Sequence, residues 1–264
     1  QAKSIDEIAA SLHGYDPQAL SAQDVLKFLS ELVAGVSETE EVDIFQALGR
    51  IVAKDVISPV NVPPHDNSAM DGFAFNGQQL SSHAALTLKL VGTALAGKAW
   101  QGKIGPGECV KIMTGAIMPD GLDTVIPQEL CQSISAESIQ LDGALLKAGD
   151  NRRHRGEDIA KGKPALLIGT RITPAAAGLL ASLGLPQVTV YRRLRVAYFS
   201  TGDEILSLGE APREGAVYDS NRYTIFGMLS RLGVDVVDMG VIPDQPQALE
   251  QAFRQAAASA DAIV

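Results

Sequence analysis

The sequence predicts a multidomain α+β and α/β protein: a discontinuous helical domain, a β-rich domain inserted into it, and an incomplete three-layer α/β domain. Three observations carry this. At 264 residues the chain exceeds the usual size of one compact domain. Helix signals stand on both sides of a segment dense in Gly, Pro and Asp whose apolar runs are short, as if a β unit were set between two halves of a helical one. From Leu194 onward strand and helix patterns alternate, which predicts parallel strands wound with helices.

Taken in order, residues 1–20 show no sustained period and contain Gly14 and Pro17, so they read as a tail or docking arm. Residues 21–60 open the helical domain. Ser21 with Asp24 resembles a capping box, and Val25, Phe28, Leu29, Leu32 and Val33 follow the rhythm of an amphipathic helix that ends near Gly35. Residues 61–150 form the β-rich domain, with strand character at Leu86–Val91, Cys109–Met113, Thr124–Pro127 and Ile139–Leu141. The helical domain resumes over 151–190, where Thr173-Pro174 supplies an N-cap and proline at N1, and Gly184 closes a helix over Ala175–Leu183. Over 191–264 come strand Val196–Phe199, helix Asn221–Leu232, strand Val234–Val241, helix Pro246–Ala257 and strand Ala262–Val264. The last strand ends on the last residue, which reads as a truncated α/β unit.

Twenty-two basic against 31 acidic side chains give a formal charge of -9, the wrong sign for a nucleic-acid or anionic-membrane binder. An anionic ligand therefore needs a local exception, and Arg152-Arg153-His154-Arg155 is the candidate, although such a run also fits a solvated face. Two cysteines, Cys109 and Cys131, provide neither metal-ligand spacing nor a disulfide framework. With no targeting or spanning segment in view, the expected location is cytoplasmic.

In an open α/β sheet, ligands bind beyond the carboxyl ends of the strands. Ser200-Thr201-Gly202-Asp203-Glu204 follows the first strand there, with hydroxyls and amides to hold a phosphate and carboxylates to take Mg²⁺ directly or through water. Asp244 lies at the matching end of the second strand. The same residues also fit a polar strand-to-helix turn. Within the β unit, Pro63 to Gly72 packs turn formers, amides and carboxylates, and fits either a functional loop or Asx-turns. His65 reads as a surface residue, Thr114 of Met113-Thr114-Gly115 as a strand-end cap, and Gly156-Glu157-Asp158 as a salt-bridged loop.

Together, Asn67-Ser68-Ala69-Met70-Asp71-Gly72-Phe73-Ala74, Ile112-Met113-Thr114-Gly115-Ala116, Arg155-Gly156-Glu157-Asp158-Ile159, Ser200-Thr201-Gly202-Asp203-Glu204 and Tyr218-Asp219-Ser220-Asn221-Arg222 change meaning. Their order and spacing, from Ser21 to Val264, resemble the molybdopterin molybdenumtransferase family, MoeA in bacteria and the E domain of gephyrin in animals. The resemblance makes the last domain a MogA-like, molybdopterin-binding one. It implies transfer of molybdenum from molybdate to the dithiolene of adenylylated molybdopterin, with release of AMP and help from Mg²⁺.

Carried over by position, the resemblance implies catalytic roles for Asp71, Thr114, Asp158, Glu204 and Asp244. It implies substrate contacts from Asn67, Ser68, Gly115, Arg155, Ser200, Thr201, Gly202 and Asn221, and Mg²⁺ at Asp203, Glu204 and Asp244. It also implies a homodimer across which Asp71 and Thr114 complete the cleft. The partner set extends to the molybdopterin adenylyltransferase and molybdoenzyme chaperones, with no nucleic acid and no membrane. The family's Ser/Gly-rich loop after the third strand and its C-terminal β-domain do not occur in this sequence, so a polypeptide ending at Val264 is expected not to insert molybdenum. The sequence departs from the family it resembles at Pro64-His65 before Asp66, where an aromatic or other apolar residue is common. The competing readings are a non-catalytic dimerising scaffold of the gephyrin type and a molybdopterin adenylyltransferase.

Overall fold

The computed structural model describes residues 21–80 and 85–264; the tail expected over 1–20 lies outside them. Among these residues the helices are α1 (Ala22–Leu32), α2 (Pro174–Ser182), α3 (Ser220–Leu232) and α4 (Pro246–Ser259). None is long and apolar enough to cross a membrane. The chain divides into two compact units, one of Gln1–Ala53, Arg171–Thr173 and Gln187–Val264, the other of Lys54–Thr170 and Pro174–Pro186.

In the first unit the Ser21 hydroxyl accepts from the Asp24 amide at 3.1 Å and donates to the Asp24 carboxylate at 2.7 Å, so the cap read from sequence starts α1 as expected. The amphipathic pattern predicts a buried face, yet no α1 residue is buried, and Val25, Leu26 and Leu29 stay exposed. Thr39–Asp43 pairs antiparallel with Gln187–Tyr191, burying Val42, Val188 and Val190. The α/β part is a parallel three-stranded sheet with Arg195–Thr201 between Asp235–Ile242 and Ala262–Ile263. Val196, Tyr198 and Leu229 form its core, because alternate side chains of the central strand meet the inward face of α3. Arg192 ties this sheet to the antiparallel pair: it forms an ion pair with Glu38 and a bidentate one with Asp261 at 2.7 Å.

The second unit centres on a six-stranded sheet in the order Thr124–Pro127, Gly72–Phe75, Glu108–Ile112, Ala85–Ala94, Ser138–Asp142, Ser133–Ile134. Both faces are covered. Phe73, Phe75, Cys109 and Ile126 pack on one side, while Ala74, Val110, Ile112 and Val125 pack on the other. Two-sided burial explains why Gly72–Phe75 and Thr124–Pro127 are buried at every residue and show no polar alternation. The Trp100 ring lies where side chains on Gly92 and Gly102 would otherwise stand. Gly92 sits at the register shift between Leu90 and Thr93, where the long strand bends.

Residues 21–60 and 151–190 are less helical than the sequence predicts. Only α1 and α2 are α-helical there, and the rest pairs as short strands: Val56–Ile57 with Pro164–Leu166, Asn67–Ser68 with Arg152–Arg153, and the Thr39–Asp43 pair already described. Pairs this short have no period of their own, since their partners are far away in sequence.

Candidate active site

The candidate site residues fall into two groups, one in each unit. In the β-rich unit, Asn67–Ser68 is held on all sides. It pairs with Arg152–Arg153, the Ser68 amide donates to the Ala116 carbonyl at 3.0 Å, and the Gly115 amide donates to the Ser68 carbonyl at 2.9 Å. The buried Ser68 hydroxyl donates to the Met70 carbonyl at 2.6 Å and accepts from the Met70 amide at 3.2 Å. It is spent on the turn rather than presented to a ligand. Asn151, with φ 59°, accepts from the Ala69 amide at 2.9 Å and donates its side-chain amide to the Val125 carbonyl at 2.9 Å.

This turn delivers Asp71 to Thr114. Oδ1 of Asp71 accepts from both the amide and the hydroxyl of Thr114, each at 2.7 Å. The two hydrogen bonds hold the carboxyl below the usual carboxylate range, so it is an anion at neutral pH. Oδ2 has no partner among the described residues. Gly72 follows because the Ile126 backbone leaves no room for a Cβ. Gly115, at φ 78°, lets the chain turn back after Thr114.

Beside this loop, the Asp66 carboxylate takes the Arg152 guanidinium on Oδ2 and the Arg155 amide on Oδ1 at 2.7 Å. The Arg155 amide, then the Arg152 side chain, are the main causes that hold the Asp66 carboxyl low. Arg153 donates to Glu157 at 2.5 Å and to Asp158 at 2.6 Å, and the His154 amide donates to Glu157 at 2.7 Å. The salt-bridged loop is thus present, and Asp158 is committed to Arg153, which the sequence placed in the basic run but not among the expected substrate contacts, where Arg155 alone of that run stood. The spacing from Arg153 to Glu157 and Asp158 was the available signal.

In the α/β unit, Ser200 and Thr201 end the central strand and Gly202 is buried at φ 142°. The Glu204 carboxylate folds back to within 2.6 Å of the place a Gly202 Cβ would occupy, and the positive φ is what favours glycine there, since the Glu204 side chain is free to swing away. The Asp244 amide donates to Asp203 Oδ1 at 3.4 Å, so the two carboxylate-bearing loops meet at the carboxyl edge of the sheet. Asp219 caps α3 by accepting from the Arg222 amide at 3.0 Å, and Asn221 is exposed in the first turn. No group of three or more His, Cys, Asp or Glu side chains among the described residues is arranged to hold a metal, so Asp203, Glu204 and Asp244 do not form a three-ligand set.

Two family models match the chain: the MoeA N-terminal region (domain I and II) over residues 20–184, and a probable molybdopterin binding domain over residues 197–264. A molybdopterin molybdenumtransferase of Haemophilus influenzae is 40% identical over 228 residues, covering 86% of this chain and 56% of the relative. One from Nostoc sp. is 34% identical over 259 residues, covering 96% and 59%. A molybdopterin biosynthesis MoeA protein of Pyrococcus horikoshii superposes with a TM-score of 0.79 at 26% identity, over 88% of this chain and 62% of that one. The chain thus spans little more than half the length of these curated relatives.

Proposed function

Since the chain belongs to the MoeA family of molybdopterin molybdenumtransferases, we propose that it supplies part of the machinery that moves molybdenum from molybdate to adenylylated molybdopterin with release of AMP. The observation that carries this reading is the Asp71–Thr114 pair. Residues far apart in sequence are brought together so that one carboxylate oxygen is anchored by two donors and the other is left open. Because Asp71 is held as an anion, it serves as an acceptor that orients a donor of the substrate rather than as a proton source near neutral pH. The Thr114 proton is directed to Asp71, so the hydroxyl oxygen offers lone pairs outward.

The α/β edge deals with the phosphate end. Ser200, Thr201 and the Gly202 backbone bind, Asn221 adds an amide at the start of α3, and Glu204 or Asp244 holds a water for attack on the adenylyl phosphorus. Mg²⁺ usually takes one or two protein carboxylates and completes its shell with waters and substrate phosphate oxygens. The hard oxygens of Asp203, Glu204 and Asp244 suit that mode, with Asp203 and Asp244 already adjacent. A cation there supplies neutralisation of charge on the scissile phosphate. Asp158 acts through Arg153 as a positioning residue. Asn67 and Gly115 line the Asp71 loop, and Arg155 adds positive charge for anionic substrates.

The reading includes a homodimer in which both residue sets serve one substrate, and the uncovered apolar face of α1 supports a contact with a second copy. The test is molybdenum insertion by the complete protein carrying Asp71→Ala or Asp71→Asn. Loss of insertion with the fold intact is expected, and unchanged insertion sinks the assignment.

A further inference from the structure

Next to the Asp71 loop lies a hollow of about 350 Å³ walled by His65 and Asp66 on one side, Arg152 and Arg155 on another, and the segment from Ile117 to Leu122 on the third. Its charges are already partly matched. The Asp66 carboxylate is consumed by the Arg152 guanidinium and the Arg155 amide, and neither oxygen is left for a cation. Among the described residues the Arg155 guanidinium and the His65 ring have no partner, and both are exposed.

The third wall adds donors. The amide of Leu122 donates to the Pro119 carbonyl at 3.1 Å, closing a turn with Gly121 at φ 82°, and the amides of Asp120 and Gly121 are left without partners among the described residues. Backbone amides left unpaired in a turn suit an anion. The Asp120 carboxylate, exposed on the same turn, is the one acidic group in the lining not already paired. It bars a cluster of anions but leaves room for a single one.

We propose that this hollow binds one tetrahedral oxyanion, gripped by the Arg155 guanidinium, a His65 ring N–H and the amides of Asp120 and Gly121. Arg presents a planar fork matched to two oxygens of such an ion, and imidazole offers an N–H in either protonation state. Molybdate, sulfate, inorganic phosphate and a terminal phosphomonoester share this chemistry. His65 adds a ring donor to the lining, which a side chain without polar atoms at that position would remove. The inference deepens the role given to Arg155 and rests on the proposed function only for the identity of the physiological anion.

The experiment is calorimetric titration of the 264-residue chain at fixed ionic strength with molybdate, sulfate, phosphate and glycerol phosphate in turn. Saturable binding of at least one of them is expected, weakened about tenfold in Arg155→Gln, several-fold in His65→Phe, and unchanged in Arg254→Gln on α4. Preference for molybdate points to the metal donor, preference for the monoester to the cofactor phosphate, and equal affinities to an unselective oxyanion seat; each supports the site. No saturable binding, or binding that Arg155→Gln leaves intact, overturns it. Failure of the function is separate: unchanged insertion in Asp71→Ala would not alter these titrations.

Discussion

Gly72→Ala tests why the Asp71 motif has its sequence. A methyl group at Gly72 would stand 2.8 Å from the Ile126 carbonyl carbon, closer still to its oxygen, and 3.0 Å from the Pro127 Cα. All three are backbone atoms that no rotamer change can move. The Ile126 carbonyl oxygen sets the limit, so the strands Gly72–Phe75 and Thr124–Pro127 must part locally by more than about 1 Å to restore ordinary contact at 3.4 Å. Overpacking of this kind costs about 1–3 kcal/mol, and a weakened ladder hydrogen bond adds about 1 kcal/mol. The loss of glycine's unfolded-state freedom returns roughly 0.5–1 kcal/mol. The net expectation is destabilisation by about 2 kcal/mol, read as a lower urea midpoint with an unchanged slope. Asp71 precedes the displaced residue, so insertion by the complete protein should fall at least about tenfold. The matching control is Gly178→Ala in α2, where a Cβ meets nothing within 4 Å, and a gain of about 0.8 kcal/mol is expected from helix propensity alone. If Gly72→Ala unfolds within about 0.3 kcal/mol of the parent, the close approach is not what requires glycine.

Asn151 holds φ 59°, so Asn151→Val should cost about 1–2 kcal/mol in urea unfolding while Asn151→Gly costs less; equal losses would assign the effect to the Val125 hydrogen bond instead. Asp66 has a folded pKa below its unfolded value, so its stabilisation is complete above about pH 4 and is lost as pH falls through the depressed folded value. Asp66→Asn should therefore flatten the acid limb of an ellipticity titration, and an unaltered limb would refute the pairing. Burial pushes the Cys109 thiol up to about 12, so a thiol reagent should modify Cys131 first under native conditions, with peptide mapping as the check; equal labelling would contradict the packing.

Local rules made much of the fold legible. The Ser21 cap, the Thr124–Pro127 strand and the α/β alternation rest on caps, runs and periods that neighbouring residues define. What stayed hidden depends on partners distant in sequence. Val56–Ile57 forms a strand only because Pro164–Leu166 lies beside it. The apolar stripe of α1 predicts burial, yet among the described residues none of its side chains is buried. In the site, the loops at Asp71, Thr114, Glu204 and Asp244 could be located, but not the assignment of hydrogen bonds. The basic run was legible as a run; that Arg152 neutralises Asp66, Arg153 holds Asp158 and Arg155 is left over required the fold.

That division of labour bears on how an acidic chain would hold the proposed oxyanion. Consecutive arginines repel one another, and a run of them in isolation is a solvated face. Here Asp66, Glu157 and Asp158 remove that repulsion by pairing with two of the three guanidiniums. The paired arginines fix the backbone of residues 152–158 against the Asp71 loop, and the pairing leaves the Arg155 side chain open beside it. Replacing Asp66 should therefore damage oxyanion binding even though it removes a negative charge from the hollow. Simple electrostatics predicts the opposite sign. Titration of Asp66→Asn with the same oxyanions separates the two: weaker binding means that Asp66 acts by placing Arg152 and Arg155, and tighter binding means that only the net charge of the hollow matters.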